Sequence, residues 1–189
     1  MEIQIKNLID EDFCNYKKPA LFIGMPRCSF KCDKDCGRQV CQNSELANAP
    51  VITMDTQEIA KRYWSNPITE AVVLGGLEPF DGELNDIHCL LDDIRHCELR
   101  GKKALPDIVI YTGYYPSEIE KEVNALAYWT HLDLIDGYDT IIVKFGRFIP
   151  DTSPIFDEVL GVELASNNQK AMKIFLDPDT RDLILEEKP

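Results

Sequence analysis

Four of the seven cysteines in this 189-residue chain fall in one short segment, CSFKCDKDCGRQVC, which runs from Cys28 to Cys41. Thiolates are soft ligands that suit zinc or iron–sulfur clusters, and close spacing lets one loop surround a metal at small entropic cost. The pattern is Cys28-x3-Cys32-x3-Cys36-x4-Cys41. A closed zinc site usually draws on paired C-x2-C knuckles, often with histidine. This loop has neither, and the histidines His88, His96 and His131 lie far along the chain. The spacing therefore favours an iron–sulfur cluster, with a structural zinc or four unrelated free thiols as alternatives. Arg27, Lys31, Lys34 and Arg38 stand among the thiols, and cations in such positions are expected to lower thiol pKa and offset thiolate charge. The dipeptides His88-Cys89 and His96-Cys97 lack a third ligand nearby and read as helix residues, since a helical cysteine usually behaves as a small hydrophobe.

The elements that must hold this loop alternate between strand and helix. Residues 19–25 (PALFIGM) read as a buried strand running into the cysteines. A helix follows, with Asp55 as cap, Glu58 closing a capping box, and Met54 and Ile59 in the staple positions. Residues 69–74 form a second apolar run ended by Gly75-Gly76. From Glu83 to about Arg100, Leu84, Ile87, Leu90, Leu91 and Ile94 share one helical face, with Gly101 as the expected stop. Residues 107–112 predict a strand, a helix begins near Ser117, and 131–136 and 139–145 predict further strands. Alternation of this kind implies an α/β fold with a mainly parallel sheet and flanking helices. Ligands in such sheets sit beyond the carboxyl ends of the strands, where the cysteine loop, Gly75-Gly76 and Thr112-Gly113 converge. One domain is expected over 1–189, its core at about 19–175 and 176–189 a peripheral tail.

Composition narrows the partners. The chain is 44% hydrophobic and 28% charged, with a net charge of −13. Such a field repels phosphate backbones and anionic lipid, which argues against nucleic acid and membrane surfaces. The N-terminus MEIQIKNLIDEDF lacks the basic start and apolar core of a signal peptide, and an odd number of cysteines argues against a disulfide framework. A reducing cytoplasm is the expected location.

Four stretches carry a resemblance. CSFKC…CQNSEL looks like the C-x3-C-x2-C loop of the radical S-adenosylmethionine enzymes, most of all the activating proteins of anaerobic ribonucleotide reductases. LGGLEPF (74–80) is similar to that family's Gly-Gly-Glu-Pro segment. IYTGYYPSEI (110–119) resembles its strand-end motif, and GRFIP (146–150) followed by ASNNQKAMKI (165–174) resembles its late block. Two departures stand out. Cys36 comes one residue later than the family's third cysteine, whereas Cys41 is followed by Gln42-Asn43-Ser44 as that cysteine is. Leu77 is wedged between Gly76 and Glu78.

The resemblance implies a partial (β/α) barrel and a 4Fe–4S cluster held by Cys28, Cys32 and Cys41, with Cys36 a spare thiol and one iron left open for S-adenosylmethionine. Asn43, Gly75, Gly76, Glu78, Tyr111 and Thr112 are the implied cofactor contacts, Glu78 receiving the methionine ammonium, and Phe30 would shield the cluster. The implied activity is reductive cleavage to a 5′-deoxyadenosyl radical under anaerobic conditions. A glycyl-radical enzyme is the implied protein partner, with an electron donor such as flavodoxin or ferredoxin. Alternatives are a small-molecule or peptide substrate, or a non-catalytic iron–sulfur or zinc module using all four thiols.

Overall fold

Two short strands that no apolar run announces open the chain: β1 (Glu2–Ile5) and β2 (Asn7–Asp12). The buried run after them is β3 (Ala20–Gly24), which leads into the cysteine segment and its two short helices, α1 (Lys31–Cys36) and α2 (Ser44–Asn48). Then follow β4 (Ile52–Asp55), α3 (Thr56–Ser65), β5 (Ala71–Gly75), α4 (Leu84–Arg95), β6 (Asp107–Tyr111), α5 (Glu120–His131) and β7 (Ile141–Phe145). Four more strands end the chain: β8 (Ile155–Asp157), β9 (Val162–Leu164), β10 (Lys170–Leu176) and β11 (Leu183–Glu186). This computed structural model describes residues 1–101, 103–131, 138–177, 179–180 and 182–187.

Seven strands make one sheet in the order β11-β10-β7-β6-β5-β3-β2. The three central pairings, β3–β5, β5–β6 and β6–β7, are parallel, and the flanking ones are antiparallel. The fold is thus α/β with a mixed sheet whose centre is parallel. It is open, with β11 and β2 at its edges, and among the described residues no barrel closes.

Side-chain alternation sorts the sheet into two faces. Leu21, Ile23, Val72, Leu74, Ile108, Ile110, Ile141 and Val143 join the core that α3, α4 and α5 complete with Ile59, Tyr63, Leu90, Ile94, Val123 and Leu126. Ala20, Phe22, Ala71, Val73, Val109 and Ile142 face the other way, against Val159, Leu160 and Leu164 of the β8–β9 ribbon. Sequential parallel neighbours joined by crossovers of one hand place their helices on one side, which leaves the second face to the ribbon.

Local details depart from expectation in several places. Asp55 caps α3 by accepting from the Gln57 amide at 2.8 Å, one position earlier than a capping box with Glu58 requires. Helix α4 stops at Arg95 and does not reach Gly101, because the Arg100 guanidinium swings back onto the Arg95 carbonyl at 3.1 Å and satisfies the helix end. Of the strand expected at 131–136, His131 is the last residue of α5, and 132–137 lie outside the described residues. The segment after Asp177 supplies the edge strand β11, whose Leu183 and Leu185 pack on the core.

Candidate functional site

The carboxyl ends of β3, β5, β6 and β7 surround a cavity of about 570 Å³, within the range of sites that enclose a small ligand. Of the loop thiols, Cys28, Cys32 and Cys41 line it and Cys36 does not; Cys14, exposed in the turn after β2, reaches its edge as a fourth sulfur. Gln42, Asn43, Gly76, Leu77, Glu78, Tyr111, Thr112 and Gly113 line it too, whereas Gly75 stands behind, where an added Cβ would meet the Tyr111 Cβ at 3.1 Å.

The loop geometry explains which thiols gather. Phe30 adopts a left-handed backbone (φ 52), rare for a residue with a Cβ, and starts α1 there. That reversal brings Cys28, just before it, and Cys32, in the first turn, onto the same cavity. The Phe30 amide donates to the Cys28 sulfur at 3.3 Å. Asp33, next to Cys32 on α1, accepts from the amides of Val40 and Cys41 at 2.7 and 2.8 Å, so one carboxylate folds the loop back and delivers Cys41. No residue of α1 is buried. The helix is held instead by Lys31 to Glu118 (3.2 Å) and Asp35 to Arg147 (2.9 Å), and Arg147 in turn grips Glu118.

Glu78 is fixed from three sides. Its Oε1 accepts from the Thr112 hydroxyl at 2.7 Å and the Phe80 amide at 3.2 Å, and its Oε2 accepts from the Gly113 amide at 2.8 Å. The extra residue Leu77 does not displace it: Gly76 takes a left-handed turn (φ +74), and Leu77 turns into the core. The Thr112 hydroxyl, which also accepts from the Tyr114 amide at 3.0 Å, is thereby spent on orienting Glu78. The Tyr111 hydroxyl is likewise committed, donating to the Asn15 carbonyl at 2.6 Å. Both hydroxyl protons are thus committed within the chain, which leaves these groups acceptor capacity only toward a ligand. Asn43, at the start of α2, makes no side-chain cap bond.

Electrostatics overturn one expectation. The basic residues of the loop do not lower the thiol pKa values. Burial pushes Cys28 up to about 12, with Glu78, Asp81 and Cys41 adding to it, and burial raises Cys32 and Cys41 as well. Two of the four loop cations are turned onto carboxylates, Lys31 onto Glu118 and Arg38 onto Asp151. The cations that do act on Cys32 are Lys144 and Arg147, from β7 and the turn after it. Glu78, nine-tenths buried, is raised by burial against its three hydrogen bonds.

Lys144 is the residue the sequence did not single out. It ends an apolar strand, where a lysine normally marks emergence into solvent, yet it is 6% exposed and lines the cavity. The available signal was parity: position 144 shares a side with Ile142, which faces away from the helices.

Among the described residues, no group of three or more His, Cys, Asp or Glu side chains is placed to hold a single metal ion. No helix among the described residues is long and apolar enough to cross a membrane. No protein-family model matches the chain, nor does a curated protein or a solved structure.

Proposed function

We propose that this chain is a radical S-adenosylmethionine enzyme of the kind that activates a glycyl-radical partner, working in an anaerobic cytoplasm with a small acidic electron carrier. One observation carries the reading: the thiols of Cys28, Cys32 and Cys41 open onto a single cavity at the carboxyl ends of parallel strands, and Cys36 stands outside it. Three soft sulfurs of one loop around one space, with Cys14 at its edge and without histidine, suit an iron–sulfur cluster in kind. Cys28, Cys32 and Cys41 would hold such a cluster, which when bound would supply the electron for reductive cleavage of S-adenosylmethionine to a 5′-deoxyadenosyl radical.

The chain's own residues do the rest. Asp33 positions Cys41, and Phe30 turns the loop. Gly76 lets backbone approach the cavity at a φ that residues with a Cβ rarely adopt. Glu78, pre-oriented by Thr112 and Gly113, offers its remaining acceptor capacity to an ammonium. The sequential order of β3, β5, β6 and β7, with helices on one side, suits a partial (β/α) barrel of the family's type.

A second reading draws on the cavity itself. It extends past the cysteines to Phe22, Val162 and Leu164, leaving room for a small molecule or peptide as the hydrogen donor in place of a protein glycine. The position of Cys36 speaks against a closed module using all four thiols.

Anaerobic reconstitution tests the proposal. The reduced protein should show an iron–sulfur paramagnetic signal that changes when S-adenosylmethionine is added, and dithionite should then yield 5′-deoxyadenosine. Cys41→Ala should lose the cluster, and Cys36→Ala should keep it. An unperturbed signal with no cleavage would refute the enzyme reading, and loss of iron in Cys36→Ala would overturn the ligand choice.

A further inference from the structure

Lys144 is a buried cation with too few partners. Its ammonium can donate three hydrogen bonds, and one is found, to the Gly146 carbonyl at 3.1 Å. The Tyr111 ring lies 5.6 Å beneath it, a weak cation–π contact at that range. Among the described residues no carboxylate lies within ion-pair distance of it. A buried charge in this condition is costly unless an anion completes it.

Two groups able to carry negative charge share the cavity with it, Glu78 and the Cys32 thiol, which becomes anionic on ligating a metal. Glu78 already accepts three hydrogen bonds from Thr112, Phe80 and Gly113. The cavity also carries the three loop sulfurs of Cys28, Cys32 and Cys41, and the loop's own cations Lys31 and Arg38 are turned onto carboxylates. We propose that Lys144 is a fixed counter-charge to the cysteine thiolates, a positioning residue that sets how readily an iron–sulfur cluster held by them is reduced. The inference rests on the function proposed above and adds to it a residue outside the cysteine loop.

The physical reason is direct. Reduction adds one negative charge in a medium of low effective dielectric, and a cation held nearby stabilises the reduced form more than the oxidised one. Strand β7 holds the cation rigidly: Lys144 is paired in register with Tyr111, and its carbonyl accepts from the Thr112 amide at 2.8 Å.

The test uses the reconstituted full chain and potentiometric titration of its paramagnetic signal. Lys144→Met and Lys144→Gln should shift the midpoint to more negative potential by on the order of tenfold in the reduction equilibrium, about 59 mV for a one-electron couple. Lys144→Arg, which keeps the charge, should stay near the wild-type value. If neither uncharged variant loads iron, loading by Lys144→Arg supports the counter-charge, and failure of Lys144→Arg as well overturns it as a packing role. A wild-type midpoint in a loaded uncharged variant, with weaker substrate binding, overturns it in favour of a ligand anchor. A wild-type chain that binds no cluster fails the function reading instead, so the two failures are told apart.

Discussion

At the scale of single residues, the site depends on backbone conformations that few side chains tolerate. Gly76 and Gly37 both have positive φ, at +74 and +64, but their surroundings differ. A Cβ on Gly76 would come within 2.5 Å of the Leu46 Cδ2, whereas one on Gly37 meets nothing within 4 Å. The left-handed conformation alone costs a residue with a Cβ roughly 1–2 kcal/mol. Gly37→Ala should therefore lose about that much in denaturant unfolding. Gly76→Ala should lose more, about 2–4 kcal/mol, because Leu46 must also shift. Equal losses would mean that Leu46 moves freely and that Gly76 serves only its own backbone. The sequence displayed Gly76 and Glu78 because glycine pairs and a following carboxylate are visible as residue types. It hid two of the three donors that hold Glu78, Thr112 and Gly113, which come from another strand end. It also hid Lys144, whose burial depends on which side of β7 faces the ribbon.

Among elements, α1 buries none of its residues, so charges rather than core contacts hold the helix that carries Cys32. Glu118 is the centre of that arrangement. The Arg147 guanidinium, with help from the Tyr115 amide and Lys31, holds its carboxyl down at about 2. A depressed folded-state pKa contributes stability that is complete above the ordinary carboxylate range and is lost as pH falls toward the folded value. Thermal melts should show Glu118→Gln less stable than wild type near neutrality, with the gap narrowing between about pH 5 and pH 2 as the native carboxylate protonates. A gap independent of pH would mean that Glu118 acts by packing alone. Elements of this kind escape a hydrophobic pattern, as α1 and α2 did, since α1 presents no apolar face and α2 only Leu46 and Ala47. The strands β3, β5, β6 and β7 and the helices α3, α4 and α5 were legible because each buries a long apolar run or stripe. The short strands β4, β8 and β9 carry too few apolar positions to show a period, and β1, which alternates buried Ile3 and Ile5 with polar residues, is only four residues long; their pairing is set by tertiary contacts.

For the whole molecule, the net charge of −13 has a consequence for how electrons would arrive. The basic residues around the cysteines give the impression of a landing site for an acidic carrier. However, Lys31, Arg38 and Arg147 are each turned onto a carboxylate of the chain itself, Glu118 or Asp151. What an approaching carrier meets at long range is the acidic field of the entire surface, and repulsion between like charges lowers the encounter rate. Salt shortens the reach of that field, from about 30 Å at 0.01 M to about 3 Å at 1 M. Reduction of the reconstituted protein by an acidic carrier such as flavodoxin should accordingly speed up as salt rises across that range, when followed by stopped-flow absorbance. Reduction by dithionite at matched ionic strengths provides the comparison for effects on the cluster itself. A rate that falls with salt would place a local attraction above the global repulsion, and Arg27 and Lys34, the loop cations with no recorded ion pair among the described residues, would then be the first positions to neutralise.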